Sequence, residues 1–191
     1  MATKSATTRN HRTTNGNSME NISTTRTLLR RLRPSDLSAM RLLESDPLVM
    51  QFTPSRVPQS LEQTRKRLEG QIAKQSSLAP FGVWAAELKA DSEFVGWFML
   101  NPLAPHSLEL GYMLIQEYWG KGLATEVCRA LIEFSKTQDS IKEIIAKTNF
   151  DNDSSIRVLE KLGFIYNETT TKAEPVLGGN IQIKTFSLAL L

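Results

Sequence analysis

ELGYMLIQEYWGKGLATE, Glu109 to Glu126, is the stretch from which the rest of this chain can be read. Its first half, ELGYMLI, is apolar and strand-like. Gly120 and Gly122 interrupt it, and from Leu123 the period becomes helical, with Leu123, Val127, Ala130, Leu131 and Phe134 along one face. A strand therefore turns through a glycine-rich loop into a helix. Glycines let backbone amides point inward without a Cβ in the way. The first helical turn leaves N–H groups unpaired at the positive end of the helix dipole, which suits a phosphate or pyrophosphate. Lys121 adds a mobile cation. A tight strand-to-helix connection whose glycines serve geometry alone fits the same residues. The loop does not meet G-x-x-x-x-G-K-[ST], and Thr125 occupies the third glycine position of G-x-G-x-x-G.

Working outward toward the C-terminus, IKEIIAKTN (141–149) reads as a buried strand. Asp151 or Asp153 can cap the helix DSSIRVLEKL, and Gly163 ends it in a left-handed conformation. FIYNETTTK and IQIKTFSLALL follow as strands. Toward the N-terminus, Ser107–Ile115 is the third of three successive strands. The first two, Phe81–Ala90 and Glu93–Leu103, form a hairpin about Asp91-Ser92, with Trp84, Trp97 and Phe98 as core candidates. Ser60 caps a helix whose Leu61, Leu68 and Ile72 form an apolar stripe. Thr25–Arg33 suits a strand closed by Pro34. Ser35 and Asp36 then open a helix over Leu37–Ser45, which Asp46-Pro47 stops. The order is β-α-α-β-β-β-α-β-α-β-β. Consecutive strands make antiparallel hairpins, while the strand-helix-strand unit after Glu109 requires a parallel pair. A mixed sheet with helices on both faces follows, of α/β or α+β class.

Composition bounds the remaining choices. The 191 residues are 40% hydrophobic and 23% charged, ordinary for one globular domain with an extension. Residues 1–24 are rich in Thr, Ser and Asn and read as a disordered tail, with the domain running over 25–191. The net charge is +3, but the tail holds Lys4, Arg9 and Arg12 against Glu20, so the domain carries only +1. That balance argues against nucleic acid as a partner, although the basic tail leaves an RNA- or ribosome-associated role open. Cys128 is the single cysteine and His11 and His106 the two histidines, which excludes a disulfide framework and a Cys- or His-rich metal site. No apolar run reaches membrane-spanning length, and the N-terminus lacks the apolar segment of a secretory signal. The expectation is a cytoplasmic protein without a membrane or metal role. Met19 is an alternative start to Met1.

Y-W-G-K-G-L-A-T-E after E-L-G-Y resembles the acetyl-CoA loop of the GNAT N-acetyltransferases. The family's Gln/Arg-x-x-Gly-x-Gly/Ala falls on Trp119-Gly120-Lys121-Gly122-Leu123-Ala124, with Trp in place of Gln or Arg. That departure is typical of the RimJ/RimL-type branch, the ribosomal-protein N-terminal acetyltransferases. A second block, NDSSIRVLEKLGF from Asn152 to Phe164, resembles that branch's N-x-x-S-x-x-x-x-x-K-x-G-F. The two blocks lie in the right order and spacing, and the resemblance covers about Thr25 to Leu191.

The resemblance implies a mostly antiparallel GNAT-like sheet and an acetyl-CoA-dependent N-acetyltransferase. Gly120, Lys121, Gly122, Leu123, Ala124 and Thr125 would hold the pyrophosphate. Tyr112, Met113 and Leu114 would lie beside the pantetheine and thioester, a backbone amide near Met113 or Leu114 serving the oxyanion. A splay between this strand and the next, around Asn149, would admit the pantetheine arm. Asn152 would bond that arm, or serve simply as an Asx cap. Many family members place a tyrosine acid eight positions into the second block. Leu159 stands there, so that chemistry is absent, and Ser155 matches the serine set near the sulfur in the RimL-like branch. Ser155 otherwise only bonds backbone. Glu109 is the candidate base, with Glu174 the second candidate, and a solvated glutamate is the plain alternative for both.

The acceptor implied by the branch is a protein N-terminal amine, met between the Phe52–Arg56 region and the Pro175–Asn180 loop. Small amines, antibiotics and amino acids remain alternatives, as does a non-catalytic acyl-CoA-binding sensor. The implied assembly is a monomer or homodimer.

Overall fold

The computed structural model describes residues 21–173 and 178–190. Their elements are β1 (Ile22–Ser23), β2 (Thr27–Arg31), α1 (Leu37–Ser45), α2 (Pro47–Met50), α3 (Leu61–Leu78), β3 (Gly82–Leu88), β4 (Phe94–Ala104) and β5 (Ser107–Leu114). There follow α4 (Leu123–Lys136), β6 (Glu143–Asn149), α5 (Asp153–Lys161), β7 (Ile165–Ala173) and β8 (Asn180–Ala189). The described strands form one sheet in the order β1-β2-β3-β4-β5-β6-β8-β7. Every neighbouring pair is antiparallel except β5 and β6, which α4 connects. A parallel pair needs such a crossover, whereas the β3-β4-β5 meander needs only tight turns. The mixed, mostly antiparallel sheet expected from the sequence is the one observed.

Alternation along the strands divides the core in two. Leu29, Trp84, Phe98, Leu108 and Leu110 pack with Val127 and Leu131 of α4 and Leu159 of α5. Val83 and Ala85 pack on the other face with Met40 and Leu43 of α1 and Leu68 of α3. Trp84 and Phe98 are fully buried, each worth roughly 2–3 kcal/mol of transfer free energy. Trp97 is only partly buried, against the second cluster. No helix among the described residues is long and apolar enough to cross a membrane.

Several local readings change. Ile22–Ser23, inside the stretch read as a tail, pair with Leu28 and Leu29, so the sheet starts before Thr25. Residues 1–20 lie outside the described residues. Ser35 does not cap α1; it sits in a 3-10 turn over Pro34–Asp36. Asp36 instead turns inward, accepting from the Arg33 N–H at 2.7 Å and from Arg30 at 2.9 and 2.7 Å. Asp46 does end α1, but its side chain also accepts from Leu48 N at 2.8 Å and starts α2, with Pro47 at the first position. The cap of α5 is Asn152, not Asp151 or Asp153: its Oδ1 accepts from Ser155 N at 3.1 Å. At the far end Gly163 (φ 85°) closes the helix, its N–H bonding Glu160 O and that of Phe164 bonding Leu159 O.

The β5–β6 pair positions the candidate site. Its register runs from Ser107–Glu143 to Leu110–Ala146 and stops, although β5 continues to Leu114 and β6 to Asn149. Beyond Leu110 each strand is held only on its outer side, β5 by β4 and β6 by β8. Gly96 of β4 packs closely on the end of β5: a Cβ there would lie 2.1 Å from Met113 O, so only glycine permits the approach. The two strands therefore part.

Candidate active site

At the open end of the splay, β5 leads through Gln116–Tyr118 into the loop before α4. Gly120 and Gly122 adopt φ of 71° and 77°, and Gly122 is the N-cap of α4 without any side-chain cap bond. The first intrahelical bond is Glu126 N–H to Gly122 O at 3.1 Å. The amides of Leu123, Ala124 and Thr125 thus stand in a first turn that no side chain caps. By contrast, Ser60 and Gln63 close the start of α3 with a capping box. Lys121, read from the sequence as a mobile cation, rests its Nζ 5.2 Å from the Tyr118 ring centre. The Trp119 indole N–H donates to Leu114 O at 2.9 Å and ties the loop to the last residue of β5. That tie is what the tryptophan does at this departure from the family pattern.

The first turn of α4 also carries Glu126. Burial alone would raise its pKa, but bonds from Thr24 Oγ1 and from Arg26, with the Arg26 charge, hold it below the ordinary carboxylate value. A cavity of about 620 Å³ opens beside this turn, lined by Thr24, Thr25, Thr125, Arg129, Glu133 and Lys161 among others. Nothing in the spacing of these residues announces it, because they come from α4, α5, the glycine loop and the turn between β1 and β2.

Deeper in the splay two hydroxyls meet. Tyr112 Oη of β5 lies 3.0 Å from Ser155 Oγ in the first turn of α5. The Tyr112 ring stacks on Phe98, with centroids 5.6 Å apart. Burial, then the proximity of Cys128, raises the Tyr112 pKa, so the phenol stays protonated around neutral pH. Leu159, one turn beyond Ser155, is buried in the core. The hydroxyl beside Ser155 is thus carried by β5 of the sheet, while Leu159 leaves the helix position without one. Asn152 spends its Oδ1 on the α5 cap, which leaves its amide nitrogen as a donor for a ligand. Asn149 is buried at the end of β6, its Oδ1 accepting from Asp151 N at 3.2 Å.

Glu109 stands on the opposite face. Leu108, Leu110 and Tyr112 belong to the cluster under α4 and α5, so alternation turns Glu109 and Met113 the other way, and Met113 packs against the α1–α3 cluster. Glu109 is partly exposed and lies 3.8 Å from Lys147 Nζ of β6. Glu109 thus sits where the paired part of β5 and β6 ends, on the face opposite the Tyr112–Ser155 pair. On the Glu109 side, residues 52–56 form a turn in which Thr53 Oγ1 bonds Met50 O and lies 3.2 Å from Ser55 Oγ. Glu174, the second candidate base, and residues 175–177 of the expected acceptor loop lie outside the described residues. The single thiol, Cys128, is fully buried within α4.

This arrangement can be set beside known proteins. A family model described as "Acetyltransferase (GNAT) domain" matches residues 26–165. The uncharacterized protein YkkB of Bacillus subtilis is 30% identical over 162 residues, covering 82% of this chain and 91% of that protein. The ribosomal-protein-serine acetyltransferase of Escherichia coli is 27% identical over 119 residues, 61% of this chain and 64% of that one. Among solved structures, RimL, a ribosomal L7/L12 alpha-N-protein acetyltransferase in complex with coenzyme A, superposes with a TM-score of 0.77. At 21% identity it covers 90% of this chain and 98% of its own, which establishes a shared fold.

Proposed function

The chain belongs to the GNAT acetyltransferase family and is an N-acetyltransferase; from that premise we propose that its donor is acetyl-CoA and its acceptor the α-amine of a protein or peptide N-terminus. The observation that carries the proposal is the splay itself, with an uncapped helix start at its mouth, a hydroxyl pair on one face and a carboxylate on the other.

The residues present fit the donor. The first-turn amides of α4, between two left-handed glycines, suit a pyrophosphate. The parted edges of β5 and β6 offer backbone groups to the pantetheine amides, as strand addition does. The Asn152 amide nitrogen is a further donor for that arm. When bound, acetyl-CoA supplies an acetyl thioester whose carbonyl an unprotonated amine attacks. A backbone amide at Met113 or Leu114 serves the carbonyl oxygen. Ser155 Oγ holds the proton offered to the leaving sulfur, and Tyr112 Oη behind it keeps that hydroxyl oriented. Glu109 receives the amine's proton through water from the other face. Holding both reactants in the splay supplies much of the rate.

The α-amine reading rests on the modest base and on kinship. Peptide α-amines have pKa values of about 7.7–8.0 and lysine side chains about 10.4, so a partly exposed carboxylate suffices for the former. The E. coli relative is named for acetylating a ribosomal protein. The test is a thiol-release screen with acetyl-CoA over peptides with free N-termini, N-blocked lysine peptides and small amines. Turnover of free-N-terminal peptides is expected. Turnover confined to small amines or to lysine peptides overturns the acceptor assignment. Coenzyme A binding without thiol release from any amine would instead mark a binding module.

A further inference from the structure

Thr24 to Arg26, the turn between β1 and β2, face the start of α4 across about a hundred residues of sequence. Arg26 Nε donates to Glu126 Oε2 at 2.6 Å, and its backbone N–H donates to Glu126 Oε1 at 2.8 Å. Arg26 Nη1 donates to the Lys121 carbonyl at 2.9 Å. Thr24 Oγ1 adds a bond to Glu126 Oε1 at 2.6 Å. The remaining arm, Nη2, lies 3.6 Å from where a Cβ on Gly122 would stand. One guanidinium therefore holds a carboxylate of α4 and a carbonyl of the glycine loop at once.

The placement of Glu126 makes this pairing consequential. A carboxylate in the first turn steadies a helix through the macrodipole. Here the same turn carries the uncapped amides, so an unpaired carboxylate would compete for those donors and repel a phosphate. Pairing turns it toward the β1–β2 turn and cancels its charge. A planar fork with several donors can hold two acceptors on different elements; an ammonium on a flexible stem is far less suited to that task.

We propose, on the reading that residues 120–125 hold the pyrophosphate, that Arg26 is a positioning residue of the cofactor loop. It is the counter-ion that lets Glu126 anchor α4 without opposing a phosphate, and the tie that fixes the Lys121 carbonyl between the two glycines. The N-terminal β-turn, outside both sequence blocks that mark the family, thereby sets the affinity of the loop for a diphosphate ligand.

The experiment compares two donors, acetyl-CoA and S-acetylpantetheine, which lacks the pyrophosphate, in the full chain. Wild type should prefer acetyl-CoA in kcat/KM. Arg26→Ala should weaken coenzyme A binding in calorimetry at least tenfold and shrink that preference by a similar factor. Arg26→Lys, able to satisfy fewer acceptors, should fall between. Adding Glu126→Gln to Arg26→Ala should regain at least threefold in coenzyme A affinity, because the uncompensated charge is gone. Equal losses with both donors would reveal a general structural role and overturn the proposal, as would a double variant no better than Arg26→Ala. Wild type that shows no preference between the donors would overturn the pyrophosphate reading, a failure distinguishable from that of Arg26.

Discussion

Tyr112 Oη and Ser155 Oγ lie 3.0 Å apart, joining the last half of β5 to the first turn of α5 across the splay. The phenol is stacked on Phe98, and burial together with the nearby Cys128 raises its pKa while the Ser155 bond acts the other way. It is therefore a protonated partner for the serine throughout the working range. Its raised pKa decides the sign of the pH effect. A group that loses its proton only well above neutrality cannot produce an alkaline fall in rate below about pH 9.

Ser155→Ala and Tyr112→Phe are expected to lower kcat, Ser155→Ala by about a hundredfold, at the low end of general acid catalysis. Tyr112→Phe should cost less, since it removes only the group behind the serine. The KM for acetyl-CoA should change little in either. If the two hydroxyls act as one unit, the double variant will be no worse than Ser155→Ala alone. Additive losses would show that they act separately.

Gly122→Val places a β-branched side chain at φ 77°, in a conformation such residues avoid, beside the amides of the α4 start. Coenzyme A affinity should fall at least tenfold in calorimetry. Circular dichroism and thermal melting establish whether the fold survives. An unaltered affinity in a folded variant would remove the pyrophosphate from residues 120–125.

Cys128 is fully buried, and burial pushes its thiol well above the ordinary value. The sign is simple: the thiolate, the reactive form, is disfavoured, so native protein at pH 8 should resist iodoacetamide and react only on unfolding. Cys128→Ala should retain turnover while losing some stability to the missing atom. Loss of turnover with coenzyme A still bound would point to an acetyl-cysteine intermediate.

The main helices and strands were legible because periodicity is local: α4 announces itself through Leu123, Val127 and Leu131, and the hairpin through Asp91-Ser92. Nor did the parallel β5–β6 pair need coordinates, since a helix between two strands implies it. The short elements were not legible. Two residues in β1 are too few to show a pattern, and Asp151, Asn152 and Asp153 are all competent caps, so only the local geometry selects Asn152. The glycine loop was readable as an anion cradle, whereas its bracing was not. Arg26–Glu126 and Tyr112–Ser155 join residues 100 and 43 positions apart, and no local rule pairs them. Glu109 and Tyr112 lie on opposite faces of β5, and that acquires meaning only once the strands are seen to part.

Glu109 is the candidate base, and its test turns on the acceptor's own titration. Near pH 7 most of an α-amine of pKa about 7.7–8.0 is protonated, and near pH 9 most of it is free. A base that takes the amine's proton is therefore needed most at the lower value. Glu109→Gln keeps the size and the polar surface of the side chain while removing its charge and proton affinity. The substitution should lower kcat several-fold more at pH 7 than at pH 9, with acetyl-CoA affinity nearly unaffected, because the glutamate faces away from the α4 cradle. Lys147, 3.8 Å from the carboxylate, provides a control. Lys147→Met removes that charge but leaves Glu109 able to accept a proton, so its rate should not acquire the same pH dependence. Equal losses for Glu109→Gln at both pH values would make Glu109 a group that positions the acceptor. No loss at either would pass the role to Glu174 or to bulk water.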